Sequence, residues 1–149
     1  VINDSFQPII KIPVEIYIPE EFINDVDLRL SIYKRISNIN NNKEIEEIKI
    51  ELIDRFGKLP TQLINLLKLV EIKIICIKNN IEKFEFSRKG ILVSFFQNKP
   101  KNPEKLLELS LSNKNSFMLR PDQKIFYDFG GNLIDDRFEL SKKVINLIK

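Results

Sequence analysis

Apolar residues recur every three or four positions through the first half of the chain, which is the spacing of amphipathic helices. Leu28, Ile32 and Ile36 share one side of a first predicted helix, and Asp25 stands where a helix N-cap is expected. A polar, asparagine-rich loop follows. The pattern therefore predicts a surface helix with one buried side and one polar side.

Two more helices follow the same pattern. The second spans roughly Lys43–Phe56, with an apolar residue every three or four positions, and Gly57 ends it. The third begins at Pro60 and runs to about Asn79. Its apolar positions cover more of its circumference than those of the other two, so we expect it to be the most buried helix.

The second half of the chain changes to alternating apolar and polar positions, which is typical of strands. Arg88-Lys89-Gly90 suits a hairpin turn, and an alternating stretch in the first half also predicts a strand. The predicted strands are Val14–Ile18, Ile81–Phe86, Gly90–Phe96, Phe117–Arg120 and Lys124–Phe129, and two further helices are predicted near Glu104–Ser112 and over Leu133–Ile148. Helices followed by hairpins indicate an α+β fold, with several amphipathic helices packed on a small, mainly antiparallel sheet.

The domain organisation follows from length and pattern. Residues 1–12 show no period and are expected to be a linker or tail, and residues 13–149 are expected to form a single domain. The chain begins with Val1 and not with methionine, which hints at a piece of a longer polypeptide.

Composition limits the classes of partner. The 24 basic and 21 acidic residues give a net charge of +3, which is too small to indicate nucleic acid by itself. No apolar run reaches the roughly 20 residues that span a bilayer, and the N-terminus lacks the layout of a signal peptide. We therefore expect a cytoplasmic protein without a membrane partner.

The residue types of most active sites are scarce. The chain has no histidine, four glycines that form no phosphate-binding motif, and one cysteine, Cys76, in an isoleucine-rich stretch that predicts burial. Asp135 and Asp136 fit a helix N-terminus better than a cation site. The sequence therefore predicts no catalytic residue, no cofactor, no metal and no small-molecule substrate.

An acidic stripe stands out on the second predicted helix. At 100° per residue, Glu44, Glu47, Glu51 and Asp54 fall within an arc of about 80° beside the apolar side. Such a stripe is either a solvated helix face or a docking surface for a basic partner.

Two other functions remain open from the residues alone. Arg29, Lys34 and Arg35 surround Tyr33, and the Phe84–Phe96 hairpin is rich in aromatics, so a nucleic-acid-binding accessory domain is the alternative. The neighbouring acidic stripe would repel phosphates. A hydrolase would need a pair of carboxylates in a pocket.

Two tracts carry a family resemblance. Ile18–Ser37 and Glu46–Pro60 closely resemble the C-terminal domain of bacterial transcription-repair coupling factors, the Mfd family. The similarity covers Val14–Phe96 and continues more weakly through Phe117–Asp122.

The resemblance implies a parent protein with a UvrB-like module, a module that binds RNA polymerase, and an ATP-driven translocase on double-stranded DNA. The present chain would follow that translocase, with residues 1–12 as the connection. In this family the terminal domain packs on the UvrB-like module and hides its UvrA-binding surface until polymerase is engaged.

The resemblance also implies roles for particular residues. Glu51 and Asp54 match acidic family positions on a helix that faces arginines of the UvrB-like module. Glu47 and Glu44 extend this predicted docking surface by helical geometry alone. Five further positions fit the family pattern and are expected to brace the domain internally: Arg29, Tyr33, Arg35, Arg55 and Phe56.

Overall fold

Helices occupy the first half of the chain and the sheet lies mainly in the second, in a computed structural model that describes residues 6–112 and 116–149. Residues 1–5, where the expected linker begins, lie outside the described residues. The helices are α1 (Val26–Ser37), α2 (Asn42–Phe56), α3 (Thr61–Lys78), α4 (Pro103–Leu111) and α5 (Arg137–Ile148). The strands are β1 (Ile9–Lys11), β2 (Ile81–Phe86), β3 (Gly90–Phe95), β4 (Phe117–Leu119) and β5 (Ile125–Asp128).

The strands form one mixed sheet in the order β1-β2-β3-β5-β4. β1 runs parallel to β2, and all other neighbours are antiparallel. The predicted α+β fold with a mainly antiparallel sheet is confirmed. β1 lies within the segment that was expected to be a linker, and its three residues are too few to show a period in the sequence.

The chain divides into two compact units. One is the helical unit, Val14–Ile74, and the other joins the residues up to Pro13 with Ile75–Lys149. The boundary falls within α3. None of the helices in residues 6–112 and 116–149 combines the length and the apolar composition of a membrane-spanning segment.

In the helical unit, local signals fix the ends of the helices. The Asp25 carboxylate accepts a hydrogen bond from the backbone N–H of Asp27, as the predicted N-cap should. Gly57 ends α2 at a φ of 91°, a conformation that glycine adopts without strain. The apolar sides meet in one core that includes Ile32, Ile36, Ile45, Ile48, Leu52, Leu63 and Leu67. The helices of the first half were thus predicted correctly.

The predicted strand Val14–Ile18 is wrong. Within the described residues the segment pairs with no strand, and side chains bind two of its backbone groups. The backbone N–H of Ile18 donates to the hydroxyl of Tyr33 at 2.6 Å, and the carbonyl of Glu15 accepts from the Asn65 amide at 3.0 Å. Polar side chains therefore hold both ends of this segment where the sequence pattern predicted a strand.

In the sheet unit, the β2–β3 hairpin and the β4–β5 pair form close to the predicted positions. Gly90 is required where β3 meets β5, because a Cβ there would collide with the Tyr127 carbonyl oxygen and the Phe126 ring. α5 begins later than predicted, since Asp136 caps it by accepting from two backbone N–H groups.

Candidate protein-docking surface

α2 is held rigidly at its inner side. Ile45, Ile48 and Leu52 are buried in the core of the helical unit, and Leu52 is 0% exposed. The four stripe carboxylates project from the remaining circumference. A surface carried by a packed helix loses little conformational entropy when a partner binds.

Glu44 has a local structural role. The Asn41 side-chain oxygen accepts from the Glu44 backbone N–H at 2.9 Å, and the Glu44 carboxylate accepts from the Asn41 amide at 2.9 Å and the Asn40 N–H at 3.2 Å. This reciprocal arrangement resembles a capping box at the start of α2. The N-terminal position also suits its negative charge. One of the two carboxylate oxygens of Glu44, Oε1, is therefore used within the chain.

Glu51 is engaged by two arginines of the same unit. Arg35 donates from Nη1 to Oε2 at 2.7 Å and from Nη2 to Oε1 at 2.9 Å, and Arg55 adds a bond to Oε2 at 3.3 Å. The Arg35 pair is bidentate, the strongest form of arginine–carboxylate contact. The hydrogen bonds from Arg35 are the main reason that the pKa of the Glu51 carboxyl falls to about 2. Glu51 therefore joins α1 to α2.

This lowered pKa predicts a pH-dependent stability. Because the folded pKa lies below the ordinary value of 4.5, the pair stabilises the fold above that pH and loses its effect as the pH falls towards 2. We expect Glu51→Gln to reduce the free energy of unfolding by only about 0.5–1 kcal/mol at neutral pH, since solvent screens this half-exposed pair.

Urea unfolding at a series of pH values measures the effect. The difference between Glu51→Gln and wild type should shrink steadily below pH 4.5. Glu47→Gln is the matched control, because Glu47 is exposed on the same helix. A Glu51→Gln difference that stays constant down to about pH 2 would rule out the pair as its cause.

Glu47 and Asp54 differ from the other two. Both side chains are exposed, and neither forms a hydrogen bond or ion pair with any part of the chain that the structure describes. They lie seven residues apart, so two turns of α2 bring them to the same side of the helix. Of the four predicted docking residues, these two present free carboxylates.

The predicted bracing residues make internal contacts. Arg29 donates to the backbone carbonyl of Ile23 at 2.8 Å, and the Arg55 guanidinium lies 4.9 Å from the centre of the Phe56 ring. The Tyr33 and Arg35 contacts described above belong to the same set. The prediction that these residues brace the unit internally is confirmed.

Most of the residues that suggested binding of nucleic acid make contacts within the chain. Phe84 and Phe95 are buried, and Phe86 packs against Phe84 and Phe129. Arg29 and Arg35 make the internal contacts given above. These aromatic and basic side chains therefore serve packing and bracing where they stand.

Two features considered in the sequence, a metal site and the single cysteine, can be examined in the structure. In residues 6–112 and 116–149, no group of three or more His, Cys, Asp or Glu residues could hold a metal ion. Cys76 is 0% exposed, and burial raises the pKa of its thiol to about 12, so the predicted core position of this residue is confirmed.

Sequence reasoning missed three features of this surface. The spacing of Asn41 and Glu44 is a capping signal that could have been found. The Arg35–Glu51 pair joins two helices and has no local signal. No prediction was made for Ile50, which is 69% exposed. Its position opposite the buried side of α2 could have indicated this exposure.

Comparison with known proteins identifies the class of domain to which this chain belongs. A family model described as the TRCF domain matches residues 12–106. A crystal structure of the C-terminal domain of a transcription-repair coupling factor superimposes with a TM-score of 0.76 at 23% identity, over 96% of this chain and 90% of that one. The fold is therefore that of a coupling-factor C-terminal domain.

Proteins with similar sequences indicate the same family. The transcription-repair-coupling factor of Rickettsia conorii is 36% identical over 125 residues, which is 84% of this chain and 11% of that protein. The Haemophilus influenzae protein is 32% identical over 94% of this chain and 12% of its own length, and the Escherichia coli protein 42% over 62% and 8%. The chain belongs to the TRCF-domain family of transcription-repair-coupling factors, and it spans about a tenth of the length of these relatives.

Proposed function

We propose that this chain is a non-catalytic, autoinhibitory interaction domain of a cytoplasmic transcription-repair-coupling factor. It docks on the UvrB-like module of its parent, masks the surface that binds UvrA, and restrains ATP-driven DNA translocation until RNA polymerase is engaged. Binding and hydrolysis of ATP, and contact with DNA and polymerase, belong to the parts of the parent outside this chain.

The free carboxylates of Glu47 and Asp54 carry this proposal. Each is exposed and unpaired among the described residues, and each stands on a helix whose other side is fixed in the core. Charges displayed in this way favour a basic partner and set the register of the contact more than its affinity. They suit a contact that must be selective and still open readily.

Glu51 and Glu44 lie at the margin of the docking surface in this proposal. A carboxylate has about four lone-pair sites. Glu51 can therefore accept from an arginine of the UvrB-like module while it keeps its contact with Arg35. Its role is to hold α2 in place and to contribute part of its charge.

The proposed contact has a definite energy scale. A closed state favoured by about 1.4–3 kcal/mol is populated about 10-fold to 150-fold over the open state, and a partner with modest differential affinity can still open it. If tethering supplies an effective concentration of about 1 mM, the same contact between separate chains has a Kd of about 10–100 μM.

Removing residues 13–149 from the parent tests the proposal. We expect capture of UvrA and basal ATP hydrolysis both to rise, because the masked surface and the translocase are released. Adding the separate 149-residue chain at concentrations above about 100 μM should lower both again. Unchanged capture and hydrolysis on removal would contradict autoinhibition.

A further inference from the structure

The outer side of α2 also carries two unusually exposed isoleucines. Ile50 is 69% exposed and Ile53 is 50% exposed. Single exposed apolar side chains are ordinary. These two are three residues apart on one helix and therefore adjoin each other, forming a small apolar patch on an otherwise polar face.

Acidic residues adjoin this patch at Ile50. Glu46 and Glu47 precede Ile50 by four and three residues, and Asp54 follows it by four, so all three adjoin Ile50 on the helix surface. Glu46 is paired with Lys49 at 3.1 Å, whereas Glu47 and Asp54 are the free carboxylates described above. An apolar centre with a charged rim is the usual composition of a protein interface.

We infer that Ile50 and Ile53 form the apolar centre of the docking surface, and that Glu47 and Asp54 form its charged rim. This inference rests on the proposed function. The surface fits one kind of partner: a folded protein surface that presents an apolar side chain between two basic groups spaced about two helical turns, or about 11 Å, apart. In the parent that surface belongs to the UvrB-like module.

The charges on this face disfavour the other occupants. A second copy of the chain would meet it through a twofold contact, which places like charges of the two copies against each other. Nucleic acid would bring phosphates against Glu47 and Asp54. A basic, partly apolar protein surface would avoid both kinds of charge repulsion.

The two parts of the surface should respond differently to salt. Attraction between the exposed carboxylates and a basic partner weakens as salt is raised, because the Debye length falls from about 10 Å at 0.1 M to about 3 Å at 1 M. The isoleucine contact is apolar and persists in salt. This difference separates the contribution of the patch from that of the rim.

The test uses the full-length parent and measures capture of UvrA at low and high salt. The variant Ile50→Ser, Ile53→Ser should raise capture about tenfold at both salt concentrations, since it removes the apolar centre. Glu47→Gln, Asp54→Asn should raise capture at low salt and approach wild type at high salt. Ile50→Leu, Ile53→Leu should behave as wild type.

The matched control is Val26→Ser, Leu30→Ser on α1. These residues are 55% and 59% exposed and lie four residues apart, so the variant removes a similar apolar pair from another helix. Capture should stay at the wild-type level. An equal rise in UvrA capture with this control would overturn the assignment of the docking contact to the apolar patch on α2.

The outcomes separate the inference from the function on which it rests. If removing residues 13–149 raises capture but Ile50→Ser, Ile53→Ser stays within about twofold of wild type, the patch is not part of the contact and only this inference fails. If removal leaves capture unchanged, autoinhibition and the inference both fail. Loss of a dimer of the parent in the serine variant would assign the patch to a second copy and overturn the inference.

Discussion

Leu52→Ala is expected to lower the free energy of unfolding of the helical unit by about 2–5 kcal/mol. Leu52 is 0% exposed and belongs to the core that joins α2 to its neighbours. The substitution removes buried methyl groups and leaves a cavity that the surrounding side chains fill only in part. Urea unfolding followed by circular dichroism at the helix signal measures the change.

Ile50→Ala is the control for this prediction. It shortens a side chain of similar size two residues earlier on the same helix, but at a position that is 69% exposed. We expect a change within about 0.5 kcal/mol. Equal losses in the two variants would show that the assignment of the inner and outer sides of α2 is wrong.

Reversing both free charges is expected to release the parent. In the full-length protein, Glu47→Lys, Asp54→Lys places two positive groups against the proposed basic partner and should turn attraction into repulsion. Capture of UvrA and basal ATP hydrolysis should rise to the level reached when the chain is removed, which is at most about 10-fold to 150-fold. Stability should change little, because both side chains are exposed.

Glu104→Lys, Glu108→Lys controls for the change in net charge. These residues are exposed and lie on α4, in the other compact unit, and their reversal alters the total charge by the same amount. Capture and hydrolysis should remain at the wild-type level. A rise in both assays for this control would mean that total charge, and not the α2 surface, governs release.

Glu51 is a less informative position for such a test, although the family resemblance points to it first. Reversal there would break the bidentate contact with Arg35 as well as any contact with a partner. A change in UvrA capture would then combine a shift of α2 with a loss of docking. Glu47 and Asp54 avoid this ambiguity because they make no such contacts in the described residues.

Much of the fold could be predicted because its signals are local. Asp25 and Gly57 mark helix ends through their own side chain or backbone, and the 3.6-residue period marks the buried sides. Alternating apolar and polar positions, together with Gly90, predict the β2–β3 hairpin. These features depend on neighbours within a few residues, which a single sequence displays directly.

The errors arose where distant residues decide the structure. Val14–Ile18 alternates as a strand should, but Tyr33 and Asn65 bind its backbone where a neighbouring strand would have done so. β1 pairs with β2, whose residues lie far along the chain. The candidate site divides in the same way: the acidic stripe was visible in the sequence, and the contact of Glu51 with Arg35 was not.

The most direct test of the docking surface is calorimetric titration of the separate 149-residue chain against the UvrB-like module of its parent, at low and moderate salt. We expect binding with a Kd of about 10–100 μM that weakens with salt, is lost in Glu47→Lys, Asp54→Lys, and is retained in Glu104→Lys, Glu108→Lys. Equal binding by wild type and the Glu47→Lys, Asp54→Lys variant would contradict the claim that α2 holds the parent closed.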